Sequence, residues 1–225
     1  MTLELLASPA STRAPSAPPY PEFVNALLAG DRRRCAELTQ RALRHGVPVP
    51  ELYEQLFRRA LYRVGKLWER NQISVAAERR ATSIVEGLLN QIFPEVISSR
   101  RVERSIVVAS VEGELHQVGG KMVCDVFEMS GWDACYLGAN TPVRELSRLL
   151  RETCPDLVGL SLSVYFHVGI LRDMVEAIRA EFPALPMLIG GQGLRHIGPT
   201  VIQDPMVRYV ADLRELQRFI AGFGR

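Results

Sequence analysis

The chain has 225 residues, of which 47% are hydrophobic, 23% charged and 7% aromatic. This composition is typical of an ordinary soluble globular protein of one or two domains and excludes disorder throughout the chain. The 27 Lys and Arg residues oppose 25 Asp and Glu residues, so the formal net charge is +2. Direct nucleic acid binding is therefore not expected, because neutralising many phosphates requires a concentrated basic surface.

The apolar runs of the chain are the length of strands, so we expect no membrane-spanning segment. The N-terminus lacks the basic and apolar regions of a secretory signal, and the four cysteines show no metal or disulfide spacing. These features predict a cytoplasmic protein in a reducing compartment. Residues 1–19 are rich in Ser, Thr, Ala and Pro and have no periodic apolar face, which predicts a flexible tail.

Residues 20–99 carry apolar side chains at helical intervals in four successive segments. Asp31 and Ser74 are predicted to cap the second and fourth segments, because their side-chain oxygens can accept a free backbone N–H. Gly46, Pro48 and Pro50 interrupt the chain before the third segment. This part of the sequence predicts a four-helix bundle.

Residues 104–225 alternate short β-branched runs with helical stretches, as in a parallel sheet that is covered on both faces. Strands are expected near residues 105–111, 134–137, 157–162, 187–189 and 207–210. Helices are expected near residues 118–129, 143–152, 168–181 and 213–223, with a short one after Leu194. The predicted fold class is α/β, in which the bundle precedes a doubly wound, flavodoxin-like and Rossmann-like five-stranded parallel sheet in the order 2-1-3-4-5.

Polar residues and glycines follow the first, third and fourth predicted strands. Ligands of such sheets bind beyond the carboxyl ends of the strands. An imidazole in this place, His116, can ligate a transition metal through one nitrogen while Glu114 or Ser161 fixes the other. Glycines let the backbone approach a bulky ligand closely. Because one His is too few for a metal site built by protein alone, we expect a metal that arrives within a cofactor.

The residues after these strands form three short motifs, Glu114-x-His116-x-x-Gly119, Ser161-x-Ser163 and Gly190-Gly191. In this order they resemble the cobalamin-binding domain of methionine synthase, corrinoid methyl carriers and B12-dependent mutases. The resemblance implies that His116 is the lower axial ligand of cobalt and that the displaced nucleotide tail enters the domain along the glycines. In the usual pattern an Asp stands at the place of Glu114 and a Leu at that of Ser163. His167, after the third strand, is a further candidate for contact with the corrin edge.

The resemblance also implies the cofactor, which is cobalamin in its adenosyl or another alkyl or hydroxo form. The metal ligand is His116. The residues expected to bind the cofactor in this part of the chain are Glu114, His116, Gln117, Val118, Gly119, Ser161, Ser163, Val164, Gly190, Gly191 and Gly193.

The bundle segment from Gly65 to Thr82 resembles the cap of light-responsive, cobalamin-dependent transcriptional regulators and antirepressors. In that family a Trp, nine residues and then Glu-His cover the upper face of the corrin. Trp68 and Glu78 match this spacing, and the resemblance implies that they and the next residue contact the upper ligand. That next residue is Arg79 in place of the family's His, and a guanidinium offers no lone pair to a metal at neutral pH.

This second resemblance implies a light-responsive cobalamin sensor with no catalytic residues. It would signal to a partner regulatory protein through the conformation of its bundle, and a homo-oligomer is a further candidate assembly. We expect no DNA-binding domain, because the predicted tail is too short for a helix-turn-helix. The alternative is a corrinoid methyl carrier of a methyltransferase system, which shares the fold and the His motif but generally has a more open upper face.

Overall fold

The computed structural model describes residues 18–224. The predicted flexible tail over residues 1–19 lies almost entirely outside these residues. The helices of the N-terminal part are α1 (Tyr20–Ala29), α2 (Arg32–Arg44), α3 (Val49–Leu52), α4 (Arg59–Glu69) and α5 (Val75–Val96). A π-helical segment, Tyr53–Arg58, joins α3 to α4 without a break, so the backbone forms the four successive helices that the sequence predicts.

The predicted N-caps are present in the bundle. The Asp31 carboxylate accepts the backbone N–H of Arg34 at 2.8 Å, and the Ser74 hydroxyl accepts that of Ala77 at 3.2 Å. Each cap satisfies one of the N–H groups that the first helical turn leaves free. These contacts fix where α2 and α5 begin, and the start of α5 bears on the site described below.

The C-terminal part is a parallel sheet in the order β2-β1-β3-β4-β5, as predicted. Its strands are β1 (Ser105–Ser110), β2 (Asp133–Tyr136), β3 (Leu157–Ser161), β4 (Met187–Gly190) and β5 (Val207–Val210). The helices between them are α6 (Val118–Met129), α7 (Val143–Thr153), α8 (Val168–Glu181) and α9 (Leu213–Gly222). In place of the short helix expected after Leu194, the chain makes two 3-10 turns, Gln192–Leu194 and Gly198–Val201.

The two faces of the sheet pack against different layers. Successive strand residues point to opposite faces, so Ile106 and Val108 pack with α6, α9 and the bundle, whereas Val107 and Ala109 pack with α7 and α8. The bundle therefore shares one continuous buried cluster with one face of the sheet. The boundary between a cap at residues 20–99 and a second domain at residues 104–225 stays a prediction. Across residues 18–224 no helix combines the length and hydropathy needed to cross a membrane.

Two buried polar contacts join the π-helical segment to the sheet layer. The Tyr53 hydroxyl donates to Asp125 of α6 at 2.6 Å, and the Glu54 carboxylate accepts the backbone N–H of Leu213 at 2.8 Å. Burial raises the pKa of the Asp125 carboxyl, and the hydrogen bond from Tyr53 partly offsets this. Two neighbouring side chains thus fix the third helix of the bundle over α6 and α9.

We expect Tyr53→Phe to lower the free energy of unfolding by about 1–3 kcal/mol, because it leaves the buried Asp125 carboxyl without this donor. Urea denaturation followed by circular dichroism measures the change. Tyr165→Phe is the matched control, since Tyr165 is exposed. Equal unfolding midpoints for the two variants would show that the buried contact contributes nothing.

Candidate functional site

A cleft lies at the carboxyl ends of β1, β3 and β4, between the sheet and the bundle. Its empty space, including the part open to solvent, is about 1550 Å³. It collects most of the predicted site residues. Those that line it are Trp68, Glu78, His116, Val118, Gly119, Ser161, Ser163, Val164, Gly190 and Gly191.

His116 lines the cleft, and Glu114 lies directly beneath it. The Glu114 side chain is fully buried, whereas that of His116 is 52% exposed. Glu114 Oε1 lies 2.5 Å from His116 Nδ1 and also accepts the His116 backbone N–H at 3.0 Å. The carboxylate fixes the tautomer with the proton on Nδ1, because a neutral imidazole donates through one nitrogen only. The other nitrogen, Nε2, keeps its lone pair for a ligand.

The second oxygen of Glu114 closes the loop after β3 onto this pair of residues. Oε2 accepts the backbone N–H groups of Ser163 at 2.9 Å and Val164 at 2.8 Å. Burial alone would raise the pKa of the Glu114 carboxyl, but the hydrogen bonds from His116, Val164 and Ser163 together lower it to about 2. The hydrogen bond to Glu114 raises the pKa of His116. Glu114 is therefore a carboxylate throughout the neutral range and orients the imidazole.

Two expectations about Glu114 and Ser161 need correction. Glu114 does not line the cleft, because it lies beneath His116 and acts only through that ring and the backbone. Within residues 18–224 no hydrogen bond joins Ser161 to His116. Ser161 instead forms a cleft wall opposite Gly119, where an added Cβ would lie 3.8 Å from the Ser161 hydroxyl oxygen.

Three further predicted residues do not line the cleft. Arg79 is exposed, since successive residues of a helix point about 100° apart and Glu78 is the one that faces the cleft. The Gln117 amide donates to Glu86 of α5 at 2.8 Å and ties the loop to the bundle. Gly193 is buried, and a Cβ there would lie 3.1 Å from the backbone after β3, so this glycine permits close loop packing.

The residues of the roof and of the inner end of the cleft were not predicted from the sequence. One helical face forms the roof, and its residues follow Glu54 at intervals of four, seven, eight and eleven residues. An ordinary buried helix face has the same spacing, so the sequence pattern does not mark these residues as site residues. Buried strand residues line the inner end. The missed roof residues are Glu54, Arg58, Leu61, Tyr62 and Gly65, and the inner residues include Val108, Gly159, Leu188, Val210, Leu213 and Leu216.

The shape and donors of the cleft fit a large cofactor that brings its own metal. A half-exposed imidazole lines the cleft, and apolar residues of the sheet and α9 line its inner end. Gly191, with φ +114°, lets the β4 loop pass close to β3, because a Cβ there would lie 2.1 Å from the Leu162 carbonyl oxygen. Within the described residues no group of three or more His, Cys, Asp and Glu side chains is placed to hold a metal ion.

Comparisons with known proteins agree with a cleft that binds a large metal-containing cofactor. Family models described as B12 binding domain match residues 21–92 and 104–210. The chain is 25% identical over 165 residues to dimethylamine corrinoid protein 3 of Methanosarcina acetivorans, covering 71% of this chain and 75% of that protein. It is 24% identical to trimethylamine corrinoid protein 1 of Methanosarcina mazei, covering 84% and 87% respectively.

The fold has a close counterpart among solved structures. The Methanosarcina barkeri monomethylamine corrinoid protein superimposes with a TM-score of 0.75 at 15% identity, covering 87% of this chain and 93% of that one. The relatives overturn one prediction, because the named corrinoid proteins match across the helical and the sheet parts, whereas the sequence motifs led us to a light-responsive regulator. The spacing of Trp68 and Glu78 was too short a motif to separate these groups.

The matched family models include the helical part with the cleft roof and the sheet part with the His116 loop. The cofactor expected from the motifs is thereby confirmed as a B12 corrinoid, whereas the role of each residue toward it stays a prediction. The chain belongs to the B12 binding domain family.

Proposed function

We propose that this chain is a corrinoid methyl carrier, which receives a methyl group from one methyltransferase and delivers it to another. The observation that carries the proposal is the similarity to trimethylamine corrinoid protein 1, which spans 84% of this chain and 87% of that protein. Trimethylamine and dimethylamine are N-methylated compounds, and the cobalt of a bound corrinoid supplies a centre that accepts a methyl group and releases it. The partners in this account are methyltransferase proteins.

Different residues of the cleft are proposed to bind different parts of the cofactor. His116 would hold the metal of the cofactor through Nε2, and Glu114 would keep the imidazole in the required tautomer and orientation. The apolar inner end of the cleft along Val108 and Leu188 would accept the heterocyclic tail and keep it from water. These parts of the chain bind and orient the cofactor, and no side chain has to act as acid or base.

The roof of the cleft would leave a bound cofactor within reach of a partner protein. Trp68 is 45% exposed although it lines the cleft, and Arg79 points away from it. Glu78 is held back by the Thr82 hydroxyl, which donates to its carboxylate at 2.9 Å. No imidazole follows Glu78, so this segment offers no protein ligand to the upper face. An open upper face suits a carrier that must meet two enzymes.

We expect the cofactor-loaded protein to take up one methyl group per corrinoid when it is reduced with titanium(III) citrate and given methyl iodide. The absorption spectrum should change to that of methylcobalamin while the corrinoid stays bound, as gel filtration can verify. Free cobalamin in the same solution is the control. If free cobalamin is methylated and the protein-bound corrinoid is not, the carrier proposal is wrong.

A further inference from the structure

A second imidazole lies against the carboxylate that orients His116. His167 ends the 3-10 turn Tyr165–His167 and precedes α8. Its Nδ1 is buried, lies 3.7 Å from Glu114 Oε2, and has no hydrogen-bond partner within residues 18–224. The ring makes no N-cap hydrogen bond to α8, although His167 occupies the N-cap position. Local helix structure therefore does not explain its placement.

The chemistry of this contact favours donation from His167 to Glu114. A buried N–H without a partner is costly. Oε2 already accepts the backbone N–H groups of Ser163 and Val164, so His167 would be a third donor to that oxygen. The gap of 3.7 Å exceeds an N–H···O hydrogen bond by roughly half an ångström or more. Donation therefore requires a small rotation of the ring. Gly113, which lacks a Cβ, lies beside the Nε2 edge of this ring.

We propose that His167 is a positioning residue that donates through Nδ1 to Glu114 Oε2 in the cofactor-loaded protein, so that Glu114 is held between two imidazoles. This inference rests on the proposed role of His116 as the cobalt ligand. A hydrogen bond to the far oxygen draws negative charge from the carboxylate and lowers its basicity toward His116. His167 thus weakens the bond from His116 to the metal and eases the release of that bond.

Loss of the His167 donor is expected to change the basicity of the Glu114 carboxylate more than the orientation of the His116 ring. When His167 is altered, Glu114 still accepts the backbone N–H groups of Ser163 and Val164. It also still accepts the backbone N–H and the Nδ1–H of His116. The direction of the imidazole therefore stays fixed, while the carboxylate gains negative charge. Removal of the His167 donor is expected to strengthen the ligation by His116.

The test compares His167→Phe, which keeps an aromatic ring without a donor, with His167→Asn, whose amide nitrogen can take the place of Nδ1. In the cob(II)alamin-loaded proteins made with ¹⁵N-histidine, electron paramagnetic resonance gives the fraction with a histidine nitrogen on cobalt. We expect His167→Phe to shift this equilibrium toward ligation about two- to tenfold, the range of a single net hydrogen bond, and to make the Co(II)/Co(I) potential more negative. His167→Asn should restore wild-type behaviour.

Identical equilibria and potentials in wild type and His167→Phe would overturn the inference, and so would equal values for the two variants. His116→Ala is measured in the same series. If this variant, made with ¹⁵N-histidine, keeps the ¹⁵N coupling, the ligand assignment itself fails; if it loses the ¹⁵N coupling while His167→Phe behaves as wild type, only the role of His167 fails. Should His167→Phe not fold, ¹⁵N-histidine NMR of the loaded wild type decides, because a hydrogen-bonded Nδ1 proton is strongly deshielded and a free one is not.

Discussion

His116→Ala is expected to weaken cobalamin binding by at least about 10–100-fold, the range found when groups that only support a metal ligand are lost. The remaining complex should have the spectrum of cobalamin whose own tail base is on the metal. The physical reason is that no other imidazole among the described residues combines cleft exposure with a buried carboxylate on its second nitrogen. Equilibrium dialysis and absorption spectra with hydroxocobalamin measure both effects.

His196→Ala provides the matched control. His196 is exposed, lies on the loop after β4 and does not line the cleft, so its loss should leave affinity and spectrum unchanged. Equal losses in both variants would point to a general change of the binding face. An unchanged spectrum in the His116 variant would mean that another atom holds the cobalt.

Glu114→Ala is expected to damage both the fold and the site. It leaves the backbone N–H groups of His116, Ser163 and Val164 without their acceptor, and each buried unpaired donor costs about 1–3 kcal/mol. Since water can enter the gap, we expect a loss of at least about 2 kcal/mol in unfolding free energy. Cobalamin affinity should fall by about 10–100-fold as the imidazole loses its orientation.

Glu112→Ala tests whether this effect belongs to the buried carboxylate. Glu112 is exposed two residues earlier in the same loop, so its removal should alter the unfolding free energy by less than about 0.5 kcal/mol. Urea denaturation without cofactor, followed by dialysis with cofactor, separates the two losses. If Glu114→Ala unfolds at the wild-type urea concentration, the hydrogen bonds of Glu114 do not hold the two loops together.

The sequence predicted the fold well because its signals are local. The β-branched runs of β1 and β3 and the helix-period pattern of α6 set the elements, and the parallel order follows from right-handed crossovers in a sheet covered on both faces. The 3-10 turns after β4 were missed as such, since Gly191, Gly193 and Gly198 interrupt any regular helix there.

The part of the cleft formed by loops after strands was predicted from the sequence, whereas of the bundle helices only Trp68 and Glu78 were predicted correctly as lining residues. The carboxyl ends of neighbouring parallel strands lie at the same edge of the sheet. The sequence therefore predicts that His116 and Ser161 lie in the same site. Which face of a bundle helix points to the cleft depends on how the bundle packs on α6, and no local signal gives that packing. For this reason Arg79, which does not line the cleft, was predicted as a site residue, whereas Tyr62 and Gly65, which do, were not.

The function was the part that short motifs predicted least well. The Trp68 and Glu78 spacing describes a helix, a turn and the start of the next helix, and an acid in a first helical turn is favoured by the helix dipole whatever the function. Similarity that extends over both the helical and the sheet parts of the chain is stronger evidence about function than a match at Trp68 and Glu78 alone. The departure at Arg79 was the one local sign against the sensor.

The bond between one ring nitrogen and cobalt is measured most directly by electron paramagnetic resonance of the cob(II)alamin-loaded protein, made once with natural histidine and once with ¹⁵N-histidine. If His116 Nε2 binds the cobalt, the nitrogen splitting of each cobalt line changes from a triplet to a doublet on labelling, and His116→Ala abolishes this change. A triplet that persists in the labelled protein would show that the cofactor's own base stays on the metal, which contradicts the account.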